Sequence, residues 1–120
     1  ARAILAGFNA SVVDVRSSSY DVIIDIDRKL LRVQIKSFDA GIFSRKGRPR
    51  GGQGIDSLDP SNQSVLVTSK DCDIFATIIK TTGTVFMFVG SEIDSLPKEN
   101  FKAKDYKKNQ ENWNVINKLQ

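Results

Sequence analysis

Histidine does not occur anywhere in the 120 residues. Its absence removes imidazole as a general acid or base, and with it His-ligated zinc sites and His-metal nuclease centres. Cysteine occurs once, at Cys72. A single thiol cannot form an internal disulfide and fits a reducing compartment. Cys72 leads into a β-rich run and reads as a small buried hydrophobe rather than a nucleophile. No apolar run is long enough to span a bilayer and no signal peptide is visible, so a cytoplasmic protein without membrane contact is expected. Nor does a P-loop or dinucleotide glycine fingerprint follow any strand, which argues against a nucleotide cofactor. Carboxylates, amides, lysines and a metal ion remain for chemistry.

What is present is enough apolar sequence, 40% of residues, to build one self-sufficient core, so residues 1–120 are expected to form a single domain. The chain starts at Ala1 rather than Met, and a truncated or processed N-terminus is expected. Charge is unevenly spread. Residues 1–43 sum to +1, and residues 44–54, SRKGRPRGGQG, carry Arg45, Lys46, Arg48 and Arg50 with no acid. Residues 55–100 sum to −4 and residues 101–120 to +3. A basic loop and a basic tail thus flank an acidic middle, the electrostatic footprint of a phosphate-backbone binder.

The order of elements predicts a mixed α/β (α+β) domain with no repeat. ARAILAG reads as the end of a helix stopped at Gly7. A first strand follows over residues 8–15, then a polar connection that contains Arg16. Residues 30–38 give the third strand, and residues 40–62, rich in Gly, Ser, Pro and Arg, a long loop. Residues 64–68 suggest a short strand. Residues 74–80 and 85–89 are two more, joined by a TTGT hairpin signal. Residues 91–96 suggest a short helix stopped at Pro97. Tyr106, Trp113, Ile116 and Leu119 recur at helical spacing, which predicts one amphipathic helix over residues 105–120 with Trp113 on its apolar stripe.

The segment Tyr20 to Phe38, YDVIIDIDRKLLRVQIKSF, carries the most information. Val22, Ile24 and Ile26 alternate with Asp21, Ile23 and Asp25, while Leu31, Val33 and Ile35 alternate with Leu30, Arg32, Gln34 and Lys36. Residues i and i+2 of a strand share a face. A one-residue slip would expose an apolar set, so the parity of pairing is fixed. A two-residue turn at Asp27-Arg28 then sets Ile26 against Lys29, Ile24 against Leu31 and Asp21 against Gln34. An acid, an amide and a lysine meet at the open end of the hairpin, a trio suited to a divalent metal and an activated water. The competing reading is an Asp21–Lys36 surface ion pair, which contributes little. Asp25 lies nearer the turn and is a secondary candidate. Arg32 on the same face could hold a phosphate or pair with Asp25.

An Asp opening one strand and a Q-x-K on the next resemble the PD-(D/E)XK nuclease superfamily, within it most closely the intron-encoded homing endonucleases and archaeal-type Holliday junction resolvases. Gln34 stands where most members carry Glu or Asp, although some homing endonucleases of this fold use Gln, and Tyr20 stands in place of Pro. The resemblance implies a restriction-endonuclease-like domain, a mixed sheet with an antiparallel meander flanked by helices. It implies Asp21, Gln34 and the backbone carbonyl of Ile35 as ligands of Mg²⁺, for which Mn²⁺ can substitute, and Lys36 as the residue that assists the attacking water. It further implies products with 5′-phosphate and 3′-hydroxyl ends.

The activity so implied is metal-dependent hydrolysis of DNA phosphodiesters by a homing-type or related site-specific endonuclease. A Holliday junction resolvase or repair nuclease is the alternative within the class. A DNA-binding domain of the same fold that has lost its chemistry is the alternative outside it. The expected partner is double-stranded or branched DNA, contacted by Arg45, Lys46, Arg48, Arg50, Arg16 and Arg32. A homodimer or homotetramer is expected, because symmetric cutting of two strands needs two active sites. Association with the nucleoid and a phage or mobile-element origin would suit so small a nuclease.

Overall fold

The computed structural model describes residues 7–12, 21–46 and 66–118. Seven strands occur among them: β1 (Asn9–Val12), β2 (Val22–Ile26), β3 (Lys29–Phe38), β4 (Ile42–Phe43), β5 (Ile74–Ile79), β6 (Thr84–Val89) and β7 (Phe101–Lys102). Two short α-helices, α1 (Ser91–Ser95) and α2 (Asn114–Lys118), and a 3₁₀ helix over Ala103–Asn109 complete the described elements. Five strands form one sheet in the order β1-β2-β3-β5-β6, and β4 and β7 form a separate ribbon. All pairings are antiparallel except β3 with β5. The outcome is the mixed, meander-bearing α+β sheet expected from the sequence.

The β2–β3 hairpin has the register that its alternation dictates, with Ile26 opposite Lys29, Ile24 opposite Leu31 and Val22 opposite Val33. Asp27 (φ 46°) and Arg28 (φ 66°) both adopt positive φ at the turn. That is the conformation a two-residue hairpin needs to match the twist of its strands. Asp tolerates it more readily than Arg, which bears the strain of the left-handed region.

β3 positions the site. Its first half is zipped to β2, whereas residues 33–38 run parallel to β5, with Gln34 beside Phe75 and Lys36 beside Thr77. Each face of the sheet carries its own core. On one face Ile24, Leu31, Val33, Ile74, Ala76, Val85 and Met87 pack with Ile116 of α2. On the other, Phe75, Phe86 and Phe88 pack with Phe43, Phe101, Ile93 and Leu96. Gln34 and Lys36 lie on this second face, where the aromatic core gives way to polar surface. Cys72 is fully buried in the same core. Burial pushes its thiol up to about 11, which keeps it protonated and inert, as its sequence context suggested.

The single C-terminal helix expected over residues 105–120 does not form. The 3₁₀ helix is kinked at Tyr106, and Glu111 has positive φ before α2 begins. The reason lies at the outer edge of β6. Asn109 Nδ2 donates to the Met87 carbonyl at 2.9 Å, the Glu111 N–H donates to the Val85 carbonyl at 2.7 Å, and Glu111 Oε2 accepts from the Val85 N–H. Gln110 bridges to Phe86. A continuous helix spends its backbone groups internally and could not cap a strand edge in this way. Tyr106 therefore packs into the aromatic core, while Trp113 crosses to the other face and stacks on Phe8 at 6.1 Å. Trp113 thus belongs to the apolar packing, as expected.

The long loop assigned to residues 40–62 is shorter at its start than expected, because Ile42 and Phe43 pair with Lys102 and Phe101. Of the short strand expected over residues 64–68, residues 64 and 65 lie outside the described residues, and Leu66 forms an isolated bridge with Lys46. The opening helix lies outside the described residues, and so does the first strand beyond Val12. Gly7 has φ 95°.

Candidate active site at the end of the β2–β3 hairpin

Asp21 and Gln34 meet where the sequence places them, with one difference in register. The ladder stops at Val22–Val33, and the Asp21 N–H donates to the Val33 carbonyl at 2.8 Å instead of continuing to Gln34. The side chain closes the gap. Asp21 Oδ2 accepts from Gln34 Nε2 at 3.1 Å and from the Ile35 N–H at 3.0 Å. Beyond the end of β2, the carboxylate stands in for a strand partner. Backbone N–H and C=O groups of one strand residue face the same edge, so the Ile35 carbonyl faces the edge at which Asp21 sits.

Lys36, two residues on and on the same face as Gln34, donates from Nζ to the backbone carbonyl of Lys46 at 3.0 Å. The lysine is therefore held by the strap that leaves β4, rather than by Asp21. The simple Asp21–Lys36 surface pair is not among the described ion pairs.

The donor set can be weighed against Mg²⁺. Asp21 provides one carboxylate. The Gln34 amide, turned half about its last bond, presents oxygen in place of nitrogen. The Ile35 carbonyl faces the same edge. Hard oxygen donors of this kind suit Mg²⁺, which keeps several waters and needs only one or two protein carboxylates. No group of three or more His, Cys, Asp or Glu side chains able to hold a metal occurs among the described residues. The donors fit a loosely held, largely hydrated ion.

The structure redistributes the basic residues. Arg45 is only 4% exposed, and its guanidinium is spent on backbone carbonyls: Nε donates to Val67 O at 3.1 Å, and one terminal nitrogen to Leu96 O at 2.8 Å and Asp94 O at 3.3 Å. A cation buried in this way ties the end of α1 to the Lys46–Leu66 bridge and does not reach phosphate. Arg45 therefore leaves the set of expected DNA contacts. The sequence placed it in a solvated run. The signal that separates it is its spacing of two from Phe43, which puts both on the inward side of the strap.

Arg32 pairs with Asp73 rather than Asp25, at 3.4 Å, and its backbone N–H also donates to Asp73 Oδ2 at 2.8 Å. Asp73 was not singled out in the sequence, because the contact depends on the parallel docking of β5 on β3. Asp25 is exposed, opposite Leu30 and Asn9. Lys46 is exposed, and its Nζ lies 3.6 Å from Glu99, a surface pair of little energetic weight. Arg16, Arg48 and Arg50 lie outside the described residues. Beside the strap, Ser69 donates from both its hydroxyl and its backbone to the Asp94 carboxylate, which lowers the pKa of Asp94 below the ordinary carboxylate value.

A five-stranded mixed sheet with this hairpin at its centre defines a nuclease-like α+β fold. It is similar to the structure of a bacterial homing endonuclease, I-Ssp6803I, with a TM-score of 0.66 and 17% sequence identity over 98% of this chain and 84% of that one. No protein-family model matches the chain, and no curated protein does. Among the described residues, no helix is long and apolar enough to cross a membrane.

Proposed function

We propose that the protein is a metal-dependent DNA endonuclease of the homing type, with Asp21, Gln34 and Lys36 as its catalytic residues and Mg²⁺ or Mn²⁺ as its cofactor. The observation that carries this reading is the Asp21 carboxylate bridging to Gln34 and to the Ile35 backbone in a fold similar to that of a homing endonuclease. Asp21, the Gln34 amide oxygen and the Ile35 carbonyl are the groups that would hold the ion. When bound, Mg²⁺ supplies charge neutralisation at the phosphoryl oxygens and a more acidic water. Lys36 brings an ammonium that orients the attacking water and offsets charge as the phosphorus becomes five-coordinate. The partner is DNA, double-stranded or branched, and cutting both strands calls for a homodimer or homotetramer.

One observation favours a second reading, a DNA-binding domain without chemistry: among the described residues the site holds one carboxylate, with an amide where an acid is commoner. Gln34→Glu separates the two. On the endonuclease reading the variant keeps cleavage within about tenfold and needs less Mg²⁺, because a charged ligand binds the ion more tightly. An inert wild type whose Gln34→Glu variant cuts DNA would instead establish the silent domain. Titration of cleavage against Mg²⁺ for both proteins makes the distinction.

Arg48 and Arg50 are proposed to reach phosphate or base edges, since they follow the strap whose Lys46 carbonyl holds Lys36. Removing both is expected to weaken DNA binding and flatten its salt dependence by about two units of slope, one per lost phosphate contact. A loss uniform across sequences would mark phosphate contacts, and a sequence-dependent loss would mark guanine readout. A slope unchanged over a salt series would show that the loop is only a solvated insertion.

A further inference from the structure

Thr77 sits at the centre of β5, wholly buried, and its Oγ1 has no hydrogen-bond partner among the described residues. A buried hydroxyl in that state is destabilising relative to a bonded one. An isosteric valine would avoid the loss in a strand where β-branched residues already fit. The surroundings of Thr77 show what the hydroxyl could serve. Directly paired residues of neighbouring strands share a face, so Thr77 lies between Lys36 of β3 and Phe86 of β6. Along its own strand the residues on that face are Phe75 and Ile79. Of these four neighbours, Lys36 alone has a side chain that can form a hydrogen bond.

We propose that Thr77 is a positioning residue for Lys36: its hydroxyl accepts from the Lys36 ammonium as that group leaves the Lys46 carbonyl to face the scissile phosphate. An ammonium has three N–H donors on a flexible stem, so it can exchange one acceptor for another while keeping a donor on the water or phosphate. The aromatic core on the far side of Thr77 excludes water from the hydroxyl and makes the contact directional. The inference rests on the endonuclease reading of this site and adds to it a second group that sets the place of the lysine.

Two variants and two readouts test it. Thr77→Val is expected to melt at the same temperature as wild type or higher, yet to lose about tenfold or more in kcat with KM for DNA within about twofold. Thr77→Ser, which restores the hydroxyl, is expected to recover kcat to within about threefold of wild type even where its melting point is lower. A merely structural role would move stability and activity together and would not show rescue by serine. The second readout needs no cleavage: with DNA bound and EDTA present, the rate of reductive methylation at Lys36, followed by mass spectrometry, should rise severalfold in Thr77→Val and return in Thr77→Ser.

A kcat for Thr77→Val within about twofold of wild type would overturn the proposal, as would equal loss in the serine and valine variants or unchanged labelling of Lys36. Should Thr77→Val not fold, Thr77→Ala is read by the same criteria. If the wild-type protein cuts no DNA, the endonuclease reading fails by itself, and the labelling rates still decide whether Thr77 touches Lys36.

Discussion

Asp21→Ala is expected to reduce DNA cleavage by about 10²–10³-fold or more while the protein stays folded. On the proposed reading its carboxylate is a charged oxygen ligand of the ion, and it also fixes its neighbours through the bonds to Gln34 Nε2 and the Ile35 N–H. Those bonds lie in an exposed setting, so water can replace the carboxylate as their partner, and the cost in stability should stay near 1 kcal/mol. Lys36→Ala should give a similar loss of rate, since in the proposed mechanism its ammonium acts on the same reacting atoms. Single-turnover cleavage measured beside thermal melting checks both variants. A variant that melts like wild type and cuts like wild type would place the chemistry elsewhere.

Arg45→Ala is expected to have the largest effect on stability, a loss of about 3 kcal/mol or more. Three backbone carbonyls accept from this guanidinium in a buried setting. Hydrogen bonds to a charged donor each contribute about 1.5–3 kcal/mol, and buried acceptors left unpaired add to the loss. The strap that holds Lys36 through Lys46 is anchored by the same bonds, so cleavage should fall as well. DNA binding by the folded fraction should keep its salt slope, in contrast to the pair Arg48 and Arg50. Urea unfolding should show a lower midpoint at unchanged m-value. Unaltered stability together with a shallower salt slope would mean that Arg45 faces DNA after all.

The central hairpin was legible from the sequence because two local constraints agree. Period-two alternation sets the parity of pairing, and two residues between the apolar runs set the turn. Asp21, Gln34 and Lys36 followed from that register. The strands β5 and β6 were legible as β-rich runs joined by a TTGT turn signal. The C-terminal segment was not, because helical spacing of Tyr106, Trp113 and Ile116 is also produced by a chain that crosses a sheet edge and packs residues on both faces. What decides between them is the bonding of Asn109 and Glu111 to β6, a contact with residues more than twenty positions away. Arg45, β4 and the Arg32–Asp73 pair were hidden likewise, since each depends on how distant segments dock. Charge runs read from sequence count arginines but do not show which of them turn inward.

The measurement closest to the central claim is metal-dependent DNA cleavage by the intact chain. Purified protein is incubated with a pool of supercoiled plasmids bearing random inserts, in Mg²⁺ or Mn²⁺ and in parallel with EDTA, and the ends produced are sequenced and tested for phosphate. Cleavage at a restricted set of sites is expected in either metal, with 5′-phosphate and 3′-hydroxyl ends, none in EDTA, and little or none by Asp21→Ala. Cleavage undiminished by EDTA, or no cleavage of any insert in either metal, would contradict the assignment.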